Sequence, residues 1–134
     1  MSGENVELLH RAYEAWNRGD TEWLLDHVAD DLEIRPLRGY LDLAEVYRGR
    51  DGFDRFASDW RDAWDDISLR AERVEELGGE RLMALITHRG IRRTSGVAVT
   101  EEIGHLVTVR KGKIEALVVI EGWDNTLDEA GLSE

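Results

Sequence analysis

An α+β fold is what this sequence predicts, with helices first and an antiparallel meander of strands after them. Three observations carry that expectation. In three segments before Asp65 the apolar side chains recur at helical spacing. Beyond Asp65 they alternate at a two-residue period, broken by turn residues. Within that second half, Val97 to Val109 places Val97, Val99, Glu101, Ile103, His105, Val107 and Val109 on one face, an apolar stripe interrupted by two ionisable groups. Such a stripe predicts a strand lining a cavity, with Glu101 and His105 as the first places to look for chemistry.

The elements follow in order. Val6, Leu9, Ala12, Tyr13 and Trp16 lie on one side of a first helix, which ends at Asn17-Arg18-Gly19, where glycine takes the left-handed C-terminal position. Asp20 is the expected N-cap of a second, short helix carrying Leu24, Leu25 and Val28. An extended stretch, Leu32 to Pro36, comes next. Residues 37–50 are loop-like around Gly39 and Gly49, with Tyr40, Leu41, Leu43, Val46 and Tyr47 as apolar contacts, a length typical of a lid. A third helix is expected after Asp51, with Phe53, Phe56, Trp60 and Trp64 on one face.

Strands are then expected at about Ile67 to Leu77, Arg81 to Ile91 after a Gly78-Gly79 turn, Val97 to Val109, and Lys113 to Trp123. If Lys111-Gly112 forms a two-residue hairpin turn, Val109 faces Ile114, Val107 faces Ala116, His105 faces Val118, Ile103 faces Ile120 and Glu101 faces Gly122. Every partner of the inner stripe is then apolar or glycine. A one-residue slip sets Glu115, Leu117, Val119, Glu121 and Trp123 against it instead, so the pattern favours the first register.

Composition excludes several classes of function. The 134 residues are one domain's worth, and residues 1–134 are expected to form a single domain. The absence of cysteine removes disulfides, thiolate zinc sites and cysteine nucleophiles, and fits a reducing compartment. No signal peptide and no apolar run of roughly 20 residues are seen, so a cytoplasmic protein off the membrane is expected. With 29 acidic against 17 basic residues the net charge of -12 repels phosphate backbones, which argues against nucleic acid as a partner. No histidines and carboxylates are spaced for metal ligation, so neither a metal nor another cofactor is expected.

Three segments together resemble the SnoaL-like branch of the nuclear transport factor 2-like superfamily. They are the helix Val6 to Asp20, the Val46-Tyr47-Arg48-Gly49-Arg50-Asp51-Gly52 lead-in to the third helix, and the hairpin His105 to Ile114. The resemblance spans nearly the whole chain and implies a strongly curved antiparallel sheet wrapped around the N-terminal helices, a cone with a central pocket. It also implies a wide range of functions, since that fold hosts isomerases, cyclases, hydrolases, dehydratases and non-catalytic modules. Ketosteroid isomerases use an aspartate base with an oxyanion hole of a tyrosine and a protonated aspartate. The base position falls here at Arg35 or Pro36, the tyrosine position nearest Ala12 with Tyr13 one residue along, and the oxyanion-hole aspartate position at His105. The Arg-x-Asp of limonene epoxide hydrolases is represented only by Arg89-Gly90-Ile91, and the aspartate of SnoaL-type cyclases has no clear counterpart.

The expected site is therefore a mostly apolar, aromatic-walled pocket for a small hydrophobic molecule. His105 is its proton-handling group, because a pKa near 6.5 suits proton transfer at neutral pH, and Tyr13 or Tyr40 assists. Trp16, Trp60, Ile103, Val107, Val118 and Ile120 are expected in its wall. Glu101, about 13 Å along the strand from His105 at roughly 3.3 Å per residue, is expected at its rim. His88 and Arg89 have no decided facing, and His10 and His27 are expected at the surface. A non-catalytic ligand-binding or dimerisation module is the alternative. The outer face of the last two strands, with Leu106, Leu117, Val119 and Trp123, is expected to join two copies sheet to sheet.

Overall fold

The computed structural model describes residues 2–36 and 43–132, so Tyr40 and residues 37–42 of the expected lid lie outside the described residues. Two helices, α1 (Ser2–Asn17) and α2 (Thr21–Asp26), precede β1 (Val28–Arg35) and the two-residue β2 (Tyr47–Arg48). Helix α3 (Gly49–Ala63) then leads into β3 (Trp64–Gly78), β4 (Arg81–Arg92), β5 (Ala98–Arg110) and β6 (Lys113–Glu121), and α4 (Trp123–Ala130) follows. The α+β class expected from the sequence is observed: one six-stranded sheet, in the order β2-β1-β6-β5-β4-β3, curves around the N-terminal helices. All of its pairings are antiparallel except β1 with β6.

Helix α1 buries Leu9, Ala12, Tyr13 and Ala15 against the sheet. Gly19 at φ 73° turns the chain, and the Asp20 carboxylate accepts the backbone N–H of Trp23 to cap α2. Helix α3 buries Phe53, Phe56, Ala57 and Trp60 on one face. It begins two residues before Asp51, because Gly49 adopts φ 73° and Gly52 lets the first turn approach Tyr47. Trp64 is not its last residue but the first of β3, with φ -136° and ψ 143°, and it is fully buried.

The last hairpin departs from the expected register. Lys111 and Gly112 form the turn, both at positive φ, and Val109 faces Ile114 as expected. Beyond that pair β6 carries one extra residue, so Thr108 faces Ala116, Val107 faces Leu117, His105 faces Val119 and Ile103 faces Glu121. The bulge falls where β6 also bends to pair with β1, whose own register shifts between Val28 and Glu33. Leu117 and Val119 consequently point inward, while Val118 and Ile120 point outward.

This slip, with α4, remakes the outer face. Of the expected cluster only Leu106 remains there: Leu117 and Val119 have turned in, and Trp123 opens α4, donating its indole N–H to the carbonyl of Ile86 at 3.0 Å. The strand ends early because Gly122 takes φ 82°. Helix α4 then crosses the outer face above Gly104, so closely that a Cβ there would lie 1.9 Å from Thr126 Oγ1. Thr126 and Leu85, on that covered side, are buried. Val97 precedes β5 and is exposed. Among the described residues no helix is long and apolar enough to cross a membrane.

Candidate functional site

The concave side of the sheet and the helices enclose a cavity with about 740 Å³ of empty space, its mouth included. Helices α1 and α3 contribute Tyr13, Trp16, Phe56 and Trp60, β5 contributes Ile103, His105 and Val107, and β6 contributes Ile114, Leu117 and Val119. The aromatic rings form a continuous run, with Trp16 6.1 Å and Trp60 5.8 Å from Phe56, centroid to centroid. Of the residues expected in the wall, Tyr13, Trp16, Trp60, Ile103, His105 and Val107 come together. Val118 and Ile120 do not, because the bulge at Glu115 turns their neighbours inward in their place.

Among the described residues the polar feature of this wall is one pair. The Tyr13 hydroxyl lies 2.9 Å from His105 Nδ1, both side chains being buried. Burial lowers the His105 pKa to about 3, any positive charge on His88 pushing the same way, and burial raises that of the Tyr13 phenol. Both groups are therefore neutral across the physiological range. Two tautomers satisfy the contact. If Nδ1–H donates to the phenol oxygen, the phenol O–H and a bare Nε2 both lack partners among the described residues. If the phenol donates to Nδ1, only an Nε2–H is left over. The second arrangement strands fewer polar groups, so His105 presents a donor to the cavity.

His88, whose facing the sequence left open, also points inward and is completely buried. The Trp60 indole N–H donates to its Nε2 at 3.1 Å. Its Nδ1 lies 3.4 Å from Glu101 Oε1, out of line for a well-formed hydrogen bond. The edge of Trp64 packs against the ring at 4.8 Å, where Gly90 leaves room for it. Glu101 thus stands beside His88 and is about a quarter exposed, apart from His105 as its spacing required. Arg89 is exposed, as is His10, while half-buried His27 closes α2 with its ring stacked on Trp23. The ketosteroid-isomerase base position is occupied by exposed Arg35, paired with Glu33, and by Pro36. Among the described residues no carboxylate lines the cavity and no cluster of side chains is arranged to hold a metal ion.

A curved sheet closing on such a cavity is the NTF2-like architecture. The chain belongs to the family of SnoaL-like domains, whose pattern matches residues 9–117. An NTF2-like protein of unknown function from Burkholderia pseudomallei superposes with a TM-score of 0.82 at 22% identity, over 98% of each chain. TerC, co-crystallised with polyporic acid, gives a TM-score of 0.79 at 20% identity over 96% of this chain and 98% of its own. A putative polyketide cyclase from Xanthomonas campestris pv. campestris gives 0.77 at 22% identity, again over 96% and 98%. At these identities the likeness is one of fold. No functionally curated protein matches the chain.

Proposed function

We propose that this SnoaL-like domain binds one neutral, largely apolar small molecule in the cavity and orients it by a hydrogen bond from His105 Nε2–H to a carbonyl or ether oxygen. The observation that carries the reading is the Tyr13–His105 contact of 2.9 Å in a wall otherwise built of apolar and aromatic side chains. A donor that is already neutral and held in place stabilises negative charge developing on the oxygen it meets. That is the contribution His105 makes to a cofactor-free isomerisation, cyclisation or hydrolysis of a hydrophobic substrate, with Tyr13 fixing the tautomer. TerC co-crystallised with polyporic acid supports a small organic molecule as the occupant of such a fold. The second reading, a non-catalytic binding module, is favoured by one observation: no carboxylate among the described residues reaches the cavity to serve as a base.

A single domain over residues 1–134, without cysteine, suits a reducing cytoplasm. A homodimer through the outer sheet face now rests on Leu106 and Val118, half-buried in the single chain beside α4. Val118→Lys then yields a monomer by light scattering, and a monomeric parent protein overturns the dimer.

The ligand site is tested with 2-acetylnaphthalene, a flat apolar ketone, by calorimetry and thermal melting. The expected result is saturable binding that His105→Phe weakens by about tenfold, the worth of one buried hydrogen bond, while the variant stays folded. Equal binding by the parent and a destabilised His105→Phe makes the histidine structural.

A further inference from the structure

His88 stands behind the cavity wall, its Nε2 engaged by Trp60 and its Nδ1 turned toward Glu101. The indole of Trp60 can only donate, so the Nε2 that receives it at 3.1 Å is unprotonated and the ring proton sits on Nδ1, facing Glu101 Oε1 at 3.4 Å. Trp60 itself lines the cavity. Its one polar atom is thus aimed out of the cavity, at a histidine that does not line it. Without that acceptor the N–H is a stranded buried donor, a costly state that is relieved when the indole turns to a ligand oxygen.

We infer that His88, flanked by Glu101, is a specificity-determining positioning residue. It keeps the Trp60 N–H turned away from the ligand, so that among the described residues the polar contact is offered at the His105 end, and apolar ligands with one acceptor are selected over those with two. The inference rests on the reading of the cavity as a ligand site; the contact between His88 and Trp60 is testable without any ligand.

The test compares the parent protein with His88→Phe, which keeps a ring but no acceptor, and His88→Gln, whose amide oxygen reaches the place of Nε2. The Trp60 indole N–H resonance, assigned with Trp60→Phe, is expected to move upfield in His88→Phe and to return in His88→Gln. Binding is measured for 2-acetylnaphthalene and 2,6-diacetylnaphthalene. The parent's preference for the monoketone is expected to fall about tenfold in His88→Phe, one hydrogen bond's worth, and to recover in His88→Gln. Trp60→Phe lacks the donor, so adding His88→Phe to it is expected to leave the preference unchanged, which separates the effect from loss of packing.

An indole resonance that does not move in His88→Phe overturns the positioning. A resonance that moves while the preference holds overturns the specificity. If the parent binds neither ketone the ligand-site reading fails and the specificity fails with it, whereas the indole resonance still decides the His88 contact.

Discussion

His105 and His88 face the same concave side of neighbouring strands and are both buried, yet their neighbours give them different work. The partner of His105 is a phenol, which either donates or accepts, so the ring's tautomer is set by what else needs a partner. The partner of His88 is an indole, which only donates, so its tautomer is fixed outright. His105 keeps one nitrogen for the cavity; His88 has both turned toward protein. Residue type and face, the two things a sequence pattern supplies, do not distinguish them. The donor and acceptor capacities of the adjacent aromatic side chains do.

The largest expected effect lies beside His105, at Gly104, over which α4 packs. Gly104→Val puts a branched side chain where even a Cβ would lie 1.9 Å from Thr126 Oγ1, so α4 must lift from the outer face or β5 must shift. A loss of about 3 kcal/mol is expected by denaturant unfolding, at the upper end of ordinary overpacking. Next come the rings. His88→Ala opens a hole at a fully enclosed position and strands the Trp60 donor, for about 2 to 3 kcal/mol. His105→Ala widens a cavity that already exists, for about 1 kcal/mol less. Equal losses from the two alanines would erase the distinction between an enclosed histidine and a cavity histidine.

A pH series sharpens the same contrast. Burial depresses the folded-state pKa of His105 to about 3, so below about 6.5 the unfolded chain takes up a proton that the folded chain refuses. Stability from this group is complete above about pH 6.5 and is lost as pH falls toward 3, with a slope of up to about 1.4 kcal/mol per pH unit. His105→Phe is expected to flatten the acid limb by that amount in chemical melts at several pH values. An unchanged limb would mean that His105 takes a proton in the folded protein.

Much of this was legible in the sequence, and the misses have physical causes. Helical spacing marked α1 and α3, and the two-residue stripe marked β5 with His105 facing in. The stripe pointed to Glu101 and His105 because ionisable residues break an apolar face there, and of the two His105 lines the cavity. In β4 the same signal was silent: Leu82, Ala84 and Ile86 alternate with Met83 and Leu85, and all five are buried, since α4 covers the far side of the sheet. Both faces read as core, so His88 had no face to be assigned to. Helix α4 escaped notice because its eight residues include few apolar ones, and a strand running on to Trp123 accounted for them. The bulge in β6 was invisible for a related reason: Leu117-Val118-Val119-Ile120 is apolar in either register, and only the pairing partners across the hairpin tell them apart.

The smallest change in stability is expected from Tyr13→Phe, and it bears most directly on the chemistry. Loss of the hydroxyl removes one hydrogen bond, about 1 kcal/mol, and leaves His105 Nδ1 without its donor. In the parent protein, long-range proton–nitrogen spectra should show Nδ1 bare and Nε2 protonated; in Tyr13→Phe the two tautomers should mix. The alkaline limb gives an independent reading. Burial raises the phenol's pKa above its ordinary value of 10, so the contribution of Tyr13 is intact below pH 10 and shrinks above it, where the unfolded chain ionises first. Tyr13→Phe should therefore lose less stability than the parent above pH 10. A parent spectrum with the proton on Nδ1 would make His105 an acceptor toward the cavity, and with it a base rather than a donor.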